Sequence, residues 1–189
     1  MKNSIIFFIL LISFQFMNAQ SFNKTDKYKV VTEIKENGTE FPTYVVNLVR
    51  SGGISEKLST VTIDDTELFE DIFITALENP GLEGVSKVIK MEVEYLACCA
   101  EVNSYYYMIT DDNQLVLLPE LTNIYCENGN TNSQYTFPSQ EYSVKGNILQ
   151  TETLYNKTSK SNDVSLKNSL TWNDNKFEHS ANNTAITSY

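Results

Sequence analysis

VSKVIKMEVEYLACCAEVNSYYYMIT, residues 85–110, decides the fold class of this chain. Ile89, Met91, Val93, Tyr95, Ala97 and Cys99 are apolar, while Lys90, Glu92 and Glu94 between them are charged. A period of two puts one set of side chains against a core and the other in water, which is the signature of a β-strand and incompatible with a helical repeat. The alternation fails across residues 96–100, and Tyr105, Tyr106 and Tyr107 then place aromatics on both faces. The stretch therefore reads as one strand with a bulge, or as two strands with a change of strand somewhere across this break.

Working outward toward the N-terminus, residues 28–36 and 39–50 are extended runs separated by Asn37 and Gly38, a strong hairpin signal. Ser51, Gly52 and Gly53 interrupt the chain, and residues 58–63 add a short strand. The period then changes. Leu68, Phe69, Ile72, Phe73, Ala76 and Leu77 recur at helical spacing, Asp64 followed by Glu67 resembles a capping box, and Asn79, Pro80 and Gly81 provide a stop. This predicts an amphipathic helix over about 65–79. Its outward side carries Glu67, Glu70, Asp71 and Glu78, with no Lys or Arg nearby in the sequence.

Beyond the central stretch, Asp111, Asp112 and Asn113 form a turn, 115–118 returns as a strand, and 121–126 extends as another. Residues 127–133 read as a polar loop. The runs 135–137, 147–155, 164–172 and 176–179 continue an antiparallel meander, and the sequence from Ala181 has no periodicity and reads as a frayed tail. One helix among many short strands gives the expectation of an α+β domain, with a mostly antiparallel sheet or a partly closed barrel.

The first 19 residues carry Lys2, an apolar run over 5–16 and the small residue Ala19, the pattern of a cleaved secretory signal. An apolar run of about 12 residues falls well short of the roughly 20 that span a bilayer. No cysteine follows the expected cut, so no lipid anchor is expected; residues 20–189 then form a single periplasmic or secreted β-rich domain. The formal charge is −10, with no cluster of Lys and Arg. Phosphate-backbone contacts need such a cluster, so nucleic acid is not an expected partner, whereas an acidic surface favours encounter with basic proteins.

Cys98, Cys99 and Cys126 are an odd set for an oxidising compartment. Neighbouring residues of a strand point to opposite faces, so Cys126 pairs with one of the vicinal cysteines. Cys99 lies on the apolar face and is the first choice; the break in alternation keeps Cys98 as the rival. A bond between Cys98 and Cys99 themselves would strain the intervening peptide. The spacing does not form a zinc pattern.

Other chemistry is weakly indicated. Asp111, Asp112 and Asn113, like Asn173, Asp174 and Asn175, offer oxygen ligands but lack the order of a calcium loop, and both read as turn residues. No metal or other cofactor is expected. Glu92 and Glu94 stand about 6.6 Å apart on one side of a strand. That separation overlaps the one used by inverting glycosidases, so an extracellular glycan hydrolase is an alternative reading. His179 is the only histidine and has no visible catalytic partner. Aromatics crowd the second half, and Tyr106, on the face opposite Tyr105 and Tyr107, is the one expected to be exposed if its face is uncovered. Tyr106, Glu67, Glu70 and Asp71 are accordingly the candidate interface residues.

YMITDDNQL (107–115), YTFP (135–138) and LTWNDNKF (170–177) resemble hairpins of small β-rich bacterial envelope proteins that inhibit lysozymes or neutralise secreted toxins, some of them similar to a piece of a calcium-decorated β-propeller. The resemblance implies a non-enzymatic protein-binding module, an inhibitor or immunity protein directed at a basic hydrolase or toxin. The remaining alternative, a small-ligand carrier, requires an enclosed apolar cavity inside a barrel.

Overall fold

The computed structural model describes residues 19–36, 38, 40–52, 56–157, 161–173 and 176–180. The strands are β1 (Asn23–Lys24), β2 (Tyr28–Lys35), β3 (Thr43–Arg50), β4 (Glu56–Ile63), β5 (Phe69–Glu78), β6 (Val85–Leu96), β7 (Ala100–Thr110), β8 (Leu115–Leu117), β9 (Leu121–Cys126), β10 (Gly129–Thr136), β11 (Asn147–Asn156), β12 (Ser161–Asn173) and β13 (Lys176–Ser180). A 10-stranded antiparallel sheet has the order β1-β5-β6-β7-β9-β10-β11-β12-β13, with β8 pairing β7, and a 3-stranded sheet has the order β2-β3-β4. The ends of the large sheet, β1 and β13, do not pair with each other among the described residues, so the sheet stays open. Most of the expected signal segment, Asn37 and Gly53, Asp174 and Asn175, and the tail from Ala181 lie outside the described residues.

The central stretch is two strands. β6 and β7 pair from Val85↔Thr110 to Leu96↔Ala100, and residues 97–99 form the hairpin tip. Away from the tip both strands are buried on both faces. Val88, Tyr106 and Met108 enter one core cluster while Ile89, Tyr107 and Ile109 enter another, all at most 2% exposed. That two-sided burial accounts for aromatics at successive positions of β7. Toward the tip the charged alternation of Lys90, Glu92 and Glu94 takes over.

One face of the large sheet, here the outer face, is covered by the small sheet. Tyr28, Val46, Leu48 and Ile63 of β2, β3 and β4 pack on Ile89, Met91, Val93, Tyr107 and Ile109. The other, inner face encloses its own core. Leu77, Val88, Tyr106, Met108, Leu121, Tyr135, Phe137, Ile148, Leu170 and Trp172 form one cluster that reaches from β5 to β12. In a flat sheet the five strand-to-strand steps from β6 to β12 would span about 24 Å. Yet Trp172 Nε1 donates to the carbonyl of Glu83, just before β6, at 2.9 Å, and the rings of Tyr106 and Tyr135 meet edge to face at 5.1 Å. The sheet is therefore strongly curled around this cluster. Phe22, preceding β1, closes it with edge contacts to Tyr106 and Phe137 at 5.9 and 6.1 Å.

The expected helix over 65–79 is absent. Among the described residues there is no helix, and the α+β expectation gives way to an all-β fold. Residues 69–78 are β5, paired with β6 from Phe69↔Tyr95 to Glu78↔Lys87 with a bulge between Phe69 and Asp71. The bulge explains the misleading spacing. It adds Glu70 as an extra residue, so that Phe69 and Ile72, three apart, share the outer face and imitate a helical repeat. Farther along, Ile72 and Ile74 pack outward while Leu77 packs inward, so both faces bury apolar residues. Phe69, Ile72, Phe73, Ile74 and Thr75 are also residue types that suit a pleated surface. Asn79 and Gly81, read as a helix stop, are left-handed turn residues at φ 50° and 81°.

Two smaller expectations change. β2 and β3 pair from Tyr28↔Arg50 to Lys35↔Thr43, so the hairpin connection is the longer 36–42 segment. Residues 129–133, expected as loop, belong to β10. Gly129 is needed there because a Cβ would stand 2.8 Å from the carbonyl oxygen of Tyr155 on β11.

Candidate functional site

The chain concentrates unbalanced charge at the end of the large sheet that carries the β6–β7 tip. Residues 64–71 supply Asp64, Asp65, Glu67, Glu70 and Asp71; β6 supplies Glu92 and Glu94; β7 supplies Glu101. β9 is held against this end by a disulfide between Cys99 and Cys126, with a Cα separation of 4.6 Å, while Cys98 is free and exposed. The register explains the choice of cysteine. Ala100 stands opposite Tyr125, which places Cys126 beside the residue before Ala100.

On the inner face at this end, Asp71 lies opposite Glu94 and Phe73 opposite Glu92. Glu92 opposes Ser104 on β7, and Glu94 opposes Val102, which in turn opposes Asn123 on β9. Glu92 is ion-paired with Lys90 at 2.6 Å, and Lys90 Nζ stands 5.6 Å from the centre of the Tyr106 ring. Asp71 and Glu94 make no ion pair among the described residues. Two like charges directly across a ladder repel. Phe73 remains 47% exposed and Tyr125 38% exposed in these acidic surroundings. The Tyr125 phenol is pushed above its ordinary value by burial and by the charges of Glu92 and Glu94. Asn123 is buried, and its Oδ1 accepts from the Ser133 backbone N–H at 2.6 Å, locking β10 onto β9.

On the outer face of the same end, beyond the small sheet, a depression of about 300 Å³ is lined by Asp65, Leu68, Tyr95, Cys99, Glu101 and Asn103. Its wall is anchored by Thr66 Oγ1 donating to the Pro42 carbonyl at 2.6 Å and by the edge contact of Tyr44 with Phe69 at 5.7 Å. Burial raises the Tyr95 phenol pKa, and Glu120, Glu101, Asp65 and Asp64 raise it further. Burial likewise lifts Tyr105, with the charge of Glu120 and its hydrogen bond adding to the shift. Glu120 is thus an acidic neighbour that both phenols share.

Of the residues singled out in the sequence, Glu67, Glu70 and Asp71 are exposed at this end, on the loop and bulge that open β5. Tyr106 is 1% exposed and cannot serve as a surface anchor, because the curl of the sheet covers its face. Phe73, assigned in the sequence to the apolar stripe of a helix, is an exposed aromatic, and Tyr142, one of the aromatics of the second half, is 87% exposed at φ 58°. Glu92 and Glu94 stand side by side on one strand, with Glu92 held by Lys90; they do not face each other across a cleft, as a glycosidase pair does. The inner face, where a carrier would hold its ligand, is filled by Tyr106, Tyr135, Phe137 and Trp172. In the Asp111, Asp112, Asn113 turn, Asn113 takes φ 62° and its N–H donates to the Thr110 carbonyl at 3.0 Å. Thr110 Oγ1 donates to Asp112 and accepts from the Gln114 N–H, which is hairpin chemistry. Among the described residues no group of three or more His, Cys, Asp or Glu side chains is arranged to hold a metal ion, and no helix is long and apolar enough to cross a membrane. The backbone of His179 pairs with Leu170 in β13.

No family model, curated protein or solved structure matches the chain.

Proposed function

We propose that this protein is a periplasmic or secreted protein-binding module that uses the acidic end of its large sheet against a basic protein, as an inhibitor or immunity protein for a basic hydrolase or toxin. The observation that carries the reading is the Asp71 and Glu94 pair, like charges opposed on neighbouring strands beside the exposed Phe73. Such a pair costs stability in the free protein and is relieved when a Lys or Arg bridges it, while Phe73 supplies the apolar contact that charge alone lacks. The remaining support is the signal-like N-terminus, a disulfide suited to an oxidising compartment, and the hairpins that resemble those of lysozyme-inhibiting envelope proteins.

The test has two parts. N-terminal sequencing of protein recovered outside the cytoplasm is expected to begin at Gln20. The purified protein is expected to bind at least one member of a panel of basic lysozymes and basic toxin domains. Affinity should fall as salt rises and drop about tenfold or more when Asp71→Asn and Glu94→Gln are combined. A panel without a binder, or binding unaffected by salt and by these substitutions, would reject the reading.

A further inference from the structure

The inner-face acids border a sheet edge that is almost bare. β5 is ten residues long, yet its outer neighbour β1 pairs only through Lys24↔Thr75 and Asn23↔Ala76. After Lys24 the chain turns away into β2, which pairs with β3 in the other sheet. Residues 69–74 of β5 therefore have no hydrogen-bonded strand on this side among the described residues, although β2 passes close to β5. An uncovered edge offers backbone donors and acceptors to any extended chain of matching chemistry; here the Ile72 N–H already donates to Asp71 Oδ1 at 2.7 Å, a bond that an added strand replaces.

From this edge we infer that the acidic surface recognises its partner by strand addition: an extended segment with alternating basic and apolar residues joins β5 along residues 71–74, continuing the line begun by β1. The inference rests on the protein-binding reading and specifies the kind of partner element. The two faces of β5 set the alternation. Ile72 and Ile74 point to the outer face and pack beside the small sheet, so an added strand gains apolar contact there. Asp71 and Phe73 point to the inner face, next to Glu94 and Glu92, so the intervening residues of that strand are best basic. β1 already shows the arrangement, since Lys24 is placed opposite Thr75, on the face shared with Phe73 and Asp71. A second copy of this chain is a poor occupant. Pairing two β5 edges would double the negative charge that Glu70 and Asp71 place at this edge without supplying a cation, and the bulge at Glu70 shortens the flat part of the edge.

The probe is a blocked octapeptide of four Lys-Val repeats, compared with one of the same length and charge in which the two central valines are proline. Proline removes backbone donors and breaks the extended ladder without altering the charge. The Lys-Val peptide is expected to bind about tenfold or more tightly than its proline counterpart and to slow hydrogen exchange at the edge-facing backbone amides within residues 71–74. Equal affinity of the two peptides, weakened by Glu94→Gln, would overturn strand addition while leaving the acidic surface intact as a binding site. Failure of both peptides, with a basic hydrolase still bound, would overturn it in the same way. Self-association through β5 in sedimentation, with no peptide present, would overturn the assigned occupant.

Discussion

Removing the Cys99 to Cys126 bond by the double substitution Cys99→Ala and Cys126→Ala gives the sharpest test of how the acidic end is held. The two cysteines are 27 residues apart, and in the chain-entropy model a loop of that size removes about 12 cal/mol/K from the unfolded ensemble, or about 3.5 kcal/mol at 25 °C. Native structure replaces little of that loss. β9 contacts β7 through a ladder running from Ala100↔Tyr125 to Ser104↔Leu121, and only Leu121 and Asn123 of β9 are buried. The expected destabilisation is therefore about 2 to 4 kcal/mol in urea unfolding, read as a lower midpoint. Cys98→Ser, at an exposed position outside the bond, is expected to change stability by less than about 0.5 kcal/mol. Thiol titration of the unfolded, unreduced wild type should find one free thiol per chain. A double variant as stable as wild type, or three free thiols, would refute the assignment of the staple.

Two further outcomes follow from particular contacts. Gly129→Ala would push a Cβ to 2.8 Å from the Tyr155 carbonyl oxygen, forcing β10 and β11 apart, and is expected to cost about 1 to 3 kcal/mol by chemical denaturation. Burial raises the Glu78 carboxyl, but the hydrogen bond from Lys27 and the charges of Lys87 and Lys27 outweigh it and hold the group below its ordinary 4.5. Because the folded-state value is depressed, the stabilisation is present above the unfolded value and fades as pH falls through the folded one. The stability difference between wild type and Glu78→Gln should accordingly be largest near neutral pH and vanish in acid; a difference independent of pH would contradict the ion-pair account.

What the sequence disclosed depended on whether a segment met water on one side. β6 near its tip does, and its charged alternation is readable, as are the break across residues 96–100, which leaves a bulge or a change of strand open, and the preference for Cys99. In β5 the period of two is hidden otherwise: the apolar Phe73 sits on the exposed inner face, and a single bulge residue, Glu70, moves Phe69 into step with Ile72, so the spacing imitates a helix. Residues 129–133 misled in the opposite sense. Their Asn, Thr and Ser side chains look like a loop, but the segment is extended because β9 and β11 supply ladder partners on both sides. The exposure of Tyr106 could not be read locally. It is decided by residues as distant as Tyr135 and Phe137, which the curl of the sheet brings onto its ring.

The position of the disulfide bears on how a repulsive surface keeps its shape. The inner core ends near Tyr106 and Leu121, so the tip of β6 and β7 and the end of β9 project past the packed region. There the ladder must hold Asp71 against Glu94, which lowers stability by up to about 1 kcal/mol. Hydrophobic packing cannot offset that locally, since Phe73, Leu96, Ile124 and Tyr125 are all substantially exposed. A covalent tie between the hairpin tip and β9 can, and under the proposed function it fixes this end of the sheet before the partner arrives. Fixing it in advance removes an ordering cost from association. Reduction should then weaken partner binding at denaturant concentrations where the core around Trp172 is still intact, separating the loss of the surface from the loss of the fold.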